Sequence, residues 1–155
     1  MFKKLMNKKL VKNQKGLTLI ELLAVIVILA IVAAIAVPAI GNIIENSRLN
    51  AVKADAINVL NAANLYFTEA PAATTQVTVA DLKSAKFLES AGKLEGTGVT
   101  TTVTKNDATA NALTTSGTAI TYSGNKEVKF TNATLTIINA YSVKGSESGN
   151  KTIGN

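Results

Sequence analysis

Nineteen consecutive residues, Leu22 to Ile40, carry no charged or hydrogen-bonding side chain. Coiled as an α-helix at 1.5 Å per residue they would reach about 28 Å, close to the ~30 Å hydrocarbon thickness of a bilayer. A chain with such a run must place it in lipid or cover it with something equally apolar. Lys3, Lys4, Lys8, Lys9, Lys12 and Lys15 precede it and are the only charged side chains in residues 1–16. The other ten basic residues face ten acids in residues 17–155, so the formal net charge of +6 belongs to the amino terminus. Lysines flanking an apolar span hold that end in the cytoplasm. The excess therefore reads as a topology signal, and not as a DNA-binding face.

One acid, Glu21, stands at the start of the apolar run. An unpaired charge in lipid costs about 2.5–3.5 kcal/mol on insertion scales. A secretory signal peptide, cut among the small residues of Ala34 to Ala39, fits badly: its apolar region is normally about 7–15 residues long. A buried helix of a soluble core is disfavoured by the length and the lysine flank. A plain membrane anchor fits the length and leaves Glu21 unexplained.

Lys15-Gly16-Leu17-Thr18-Leu19-Ile20-Glu21 resembles the processing site of the type IV pilin family, which includes the pseudopilins of type II secretion and competence systems. The resemblance implies that a membrane-embedded prepilin peptidase cuts between Gly16 and Leu17, releasing residues 1–16 as a leader, and methylates the new amino terminus on Leu17. Phe or Met is commoner than leucine at that place. Glu21 takes the family's glutamate position, where it can neutralise the amine of Leu17, its own or a neighbour's, and so register identical helices. Pro38 matches a family proline where the helix bends; a proline inside a helix removes one hydrogen bond and clashes with the preceding turn. The family further implies a homopolymer held by its amino-terminal helices, an assembly platform and cytoplasmic ATPases. The precursor would be a single-pass protein of the plasma membrane with a cytoplasmic amino terminus, later an extracellular pilus. Adhesion, twitching motility and DNA uptake are the functions implied, with a major pilin the leading role. Nucleic acid is a partner the family allows, but the charge distribution does not indicate it.

Beyond Gly41 the helical period continues. Leu49, Val52, Ala56, Val59, Leu60, Ala63 and Phe67 recur at steps of three and four, with Asn50, Asn58 and Asn61 on the other side. Glu45 and Arg48 are spaced for a surface pair. No glycine interrupts residues 42–69 and Pro71 follows, so one helix from Leu17 to about Glu69 is expected, residues 17–41 in the membrane or filament core and 42–70 amphipathic.

Residues 71–155 read as a globular head. Thr78-Val79-Ala80-Asp81 is a capping box opening a helix over 79–91, with Gly92 as its stop. Strands are expected at 99–104, 119–123, 126–131 and 135–143; Gly124-Asn125 makes a two-residue hairpin turn, and Asn132-Ala133 turns the chain again. In the last strand Leu135, Ile137, Tyr141 and Val143 share a face, and the polar tail 144–155 is loosely held. The fold class is α+β: a pilin-like ladle, with a long amino-terminal helix packed on a small antiparallel sheet.

The chain contains no cysteine and no histidine. Disulfide frameworks, thiolate nucleophiles, the usual zinc sites and His-based catalysis are therefore excluded. Asp107 and Asn106 do not form the oxygen cluster a calcium site needs, and no nucleophile elbow or Ser-x-x-Lys motif is present. No cofactor, metal or catalytic residue is assigned. Two sequons, at Asn132 and Asn150, are too short a pattern to distinguish from solvated surface. Lys126, Lys129, Lys144 and Lys151 offer a local basic strip, but they are read as a solvated charged surface. The readings that compete with a pilin are a pseudopilin of a secretion or competence system and, in another class, a single-span membrane-tethered enzyme or binding protein.

Overall fold

The computed structural model describes residues 18–70 and 74–155. The chain divides into two compact units, Met1–Pro38 and Ala39–Asn155. One helix, α1, runs Leu19–Glu69 over 51 residues with Pro38 inside it. The expected start at Leu17 lies outside the described residues, as does Pro71. Glycine-free, aliphatic-rich sequence on both sides of Gly41 explains the length, since neither strong breaker occurs within residues 42–69.

In the second unit, the stripe Leu49, Val52, Ala56, Val59, Leu60, Ala63 and Phe67 is buried, and Ala62 joins it. Asn50, Asn58 and Asn61 are exposed on the other side. Each fully buried large side chain on that stripe contributes about 1.5–3 kcal/mol relative to exposure. This face packs into a single core with the inner faces of two sheets. The fold class expected from sequence is therefore the one observed, a long helix on a largely antiparallel sheet layer.

The first sheet has order β1-β2-β3-β6, with β1 at Gln76–Thr78, β2 at Val99–Thr104, β3 at Ala112–Gly117 and β6 at Ala133–Thr134, all neighbours antiparallel. The second has order β4-β5-β7, from Ile120–Ser123, Lys126–Thr131 and Lys151–Gly154. β4 and β5 form the expected hairpin: Ser123 faces Lys126 across Gly124-Asn125, and Gly124 takes φ +53°. Side chains stitch the two sheets where no ladder does. Thr115 Oγ1 accepts the Phe130 N–H at 3.0 Å and Thr114 Oγ1 accepts that of Asn132 at 3.1 Å.

Four expectations need correction. The strand at 135–143 is instead a helix, α3, at Leu135–Ala140. Thr134 caps it, accepting the Ile137 N–H at 3.3 Å, and the fully buried residue is Ile138, which a strand would place on the outer face. The capping box at Thr78–Asp81 forms as expected, with the Thr78 N–H donating to Asp81 Oδ2 at 3.0 Å. The helix it opens, α2, nevertheless covers only Val79–Ser84. Lys86 takes φ +63°, Phe87 N–H donates to Leu82 O and Lys86 N–H to Lys83 O, the hydrogen-bond pattern of a Schellman stop, with Lys where glycine is usual. Gly92 opens a 3-10 turn, Gly92–Glu95, and does not end the helix.

The third correction is the tail. β7 lies parallel to β5 with Ile153 opposite Phe130, and both are fully buried. Lys151 is buried as well, its Nζ donating to the carbonyls of Glu147 and Ser148 at 3.1 and 3.0 Å. The fourth is the solvated charged surface expected of Lys126, Lys129, Lys144 and Lys151. Lys126 donates inward to Glu45 Oε2 at 2.7 Å and to the carbonyls of Gly145 and Ser146, so two of the four lysines are occupied with their own fold. Glu45 accordingly pairs with Lys126, while Arg48 Nη1 donates to Ser123 Oγ at 3.3 Å.

Candidate functional site: the start of the long helix

Gly16 and Leu17 lie outside the described residues. The first described residue, Thr18, caps α1. Its backbone N–H donates to Glu21 Oε2 at 2.7 Å, and its Oγ1 accepts the Glu21 N–H at 3.3 Å. Leu22 N–H closes the first turn onto Thr18 O at 3.1 Å. This is the reciprocal arrangement of a capping box, which satisfies two of the donors that a helix start leaves without partners. A carboxylate in the first turn also meets the positive end of the helix dipole.

Thr18 is a functional candidate that the processing motif does not single out. The signal was available: Thr18 and Glu21 stand at the same T-x-x-acid spacing as Thr78 and Asp81. The acid therefore has a local partner in the isolated chain, on its own backbone. Both Glu21 and Thr18 are exposed, so the carboxylate remains within reach of a second charged group.

The apolar residues that follow are bare. Leu19, Ile20, Leu22, Leu23, Ile26, Leu29, Ile31, Ile35 and Ile43 are all more than half exposed. An uninterrupted apolar surface of this kind on a soluble monomer marks an interaction with protein or membrane. α1 is also the one helix among the described residues long and apolar enough to cross a membrane. Pro38 lies inside the helix and is exposed. Its missing N–H leaves the carbonyl one turn back without its helical donor.

The head gathers few reactive groups. Among the described residues no three acidic side chains converge in a way that could hold a metal ion. The cavities are open grooves; one of about 500 Å³ lies between α2 and β2, with the Lys83–Glu95 ion pair on its wall. Charges in the head serve the fold. The Lys126 hydrogen bond holds the Glu45 carboxyl below its ordinary value, the Thr78 hydroxyl does the same for Asp81, and Lys83 for Glu95. Burial pushes the phenols of Tyr122 and Tyr141 up.

Comparison with known proteins gives one match. Residues 11–37 match the family model described as the prokaryotic N-terminal methylation motif. No curated protein and no solved structure matches the chain. The motif implies prepilin-processing machinery in general, and with the apolar helix it fits a membrane-anchored precursor. Its matched segment spans Gly16, Leu17, Glu21 and all but the last proline-containing turn of the apolar run. A prokaryotic N-terminal methylation motif of the type IV prepilin kind therefore opens the long apolar helix of this chain.

Proposed function

We propose that the chain is the precursor of a structural subunit of a type IV pilus filament, cleaved between Gly16 and Leu17 and methylated on Leu17. The observation that carries this reading is the register: the methylation motif over residues 11–37 encloses both the capped glutamate and most of the bare aliphatic stretch. Cleavage places a cationic amine on Leu17, four residues before Glu21. In an oily bundle neither charge is tolerated alone, so a subunit whose amine meets a neighbour's Glu21 is favoured over one out of register. Burial of the aliphatic positions against other copies supplies the remaining driving force, less per residue than transfer from water because lipid is already apolar. Contacts of this heterologous kind do not close, so fibres result. Pro38 is the point at which α1 is expected to bend in the polymer.

Mass spectrometry of the protein from its native membrane, with electron microscopy of sheared surface fibres, tests the reading. The expected mature chain lacks residues 1–16, carries a methylated Leu17 and is found in thin filaments. An intact amino terminus, or a cut after residue 34, would reject it. Two variants separate the roles of the acid. Glu21→Ala should leave cleavage intact and abolish incorporation, whereas Thr18→Ala, which removes only the cap at about 0.5–2 kcal/mol, should still assemble. Equal loss in both would reduce Glu21 to a helix cap.

A further inference from the structure

We infer that the groove between α1 and the β4–β5 hairpin receives the carboxylate of Glu69 from a second copy of this chain, displaced along the α1 axis. The groove has a volume of about 450 Å³, and Arg48 and Lys93 line it together with Thr121, Ser123 and Gly124. Both cations are exposed, and among the described residues neither has a carboxylate within ion-pair distance. The acids nearby are committed elsewhere. Glu45 is paired with Lys126, and Asp55 accepts the backbone N–H of Lys93 at 3.1 Å.

The other half of the contact is an acid in an unfavourable place. Glu69 is the last residue of α1, at the negative end of the helix dipole, and no basic residue stands in that last turn to offset it. It is exposed, with no ion pair among the described residues. An external cation at this spot would relieve two like-signed charges at once, the carboxylate and the helix end. Arg48 and Glu69 lie on the same helix, 21 residues apart. At 1.5 Å per residue that is about 31 Å, so the two cannot meet within one chain. Copies stacked with parallel helices and offset by about 31 Å bring Glu69 of one against Arg48 and Lys93 of the other. The contact is head-to-tail and repeats along a polymer.

This inference rests on the filament reading and adds to it a specific contact between heads. The absence of native cysteine makes the test clean. Arg48→Cys/Glu69→Cys in the full-length chain, expressed in cells and oxidised, is expected to give a ladder of covalent multimers from sheared fibres, since the separation bars a disulfide within one chain. Glu69→Lys should lower fibre yield by up to about fivefold, the upper scale of one exposed ion pair. Arg48→Glu/Lys93→Glu should do the same, and the triple exchange should recover most of the yield. Double-cysteine fibres that give no ladder, together with charge-reversal variants that form fibres at the wild-type yield, would overturn this contact alone. A wild type that forms no fibres would overturn it together with the filament reading.

Discussion

At the scale of single residues, the chain places its charges by local geometry. Lys126 is the clearest example: its ammonium meets one carboxylate and two carbonyls, and so ties β5 to α1 and to the 145–146 turn. Gly145 has to be glycine there, because a Cβ would fall 2.5 Å from the Glu45 carbonyl oxygen and 3.0 Å from Leu49 Cβ. The pH dependence follows from the same pair. Glu45 has its pKa depressed in the folded state, so its contribution is present above the ordinary carboxylate value and is lost as pH falls through the folded value. Thermal melts of the detergent-solubilised chain, followed from about pH 6 down through the carboxylate range, should show Tm falling less steeply in Glu45→Gln than in the wild type. Parallel curves would mean the pair is idle. The pairing of Glu45 with Arg48 expected from the i, i+3 spacing is weak on a helix surface, at about 0.2–0.5 kcal/mol, and it yields to a better-seated lysine from another element.

At the scale of elements, starts were legible and stops were not. Both capping boxes, Thr18–Glu21 and Thr78–Asp81, can be read from four adjacent residues, because the cap is a contact within one turn. The end of α2 depends on Lys86 entering the left-handed region, which its side chain disfavours by about 1–2 kcal/mol and which no sequence pattern announces. Lys86→Gly should therefore stabilise the fold by about 1 kcal/mol, seen as a raised Tm in the same melts; a drop would show that the Lys86 side chain contributes more than its backbone costs. α3 carries the same lesson. Leu135–Val143 satisfies an alternating pattern and a helical one, and short apolar segments are ambiguous by periodicity alone. Thr134 as a cap and the burial of Ile138 select the helix.

At the scale of the whole molecule, the carboxy-terminal strand is a structural member of the head. Ile153 is fully buried opposite Phe130, in the only parallel pairing among the described strands. Ile153→Ala should cost about 2–5 kcal/mol and lower Tm by several degrees. An unmoved Tm would mean that residues 151–154 are dispensable to the core. The tail reads as loose in the sequence because a four-residue strand with one large apolar side chain, flanked by Gly and Asn, carries almost no local signal. Its place comes from pairing with a strand some twenty residues earlier, and such a pairing cannot be read from nearby residues. The sequence by itself determined the lysine-flanked apolar span, the position of Glu21, the buried stripe Leu49–Phe67 and the β4–β5 hairpin, since each is encoded by residues within a few turns of one another. Tertiary structure alone decided the division into two sheets, the partner of Glu45, the inward turn of Lys126 and Lys151, and the burial of Ile153. Those depend on which distant surfaces meet, and there packing and the satisfaction of buried polar groups outweigh local preference.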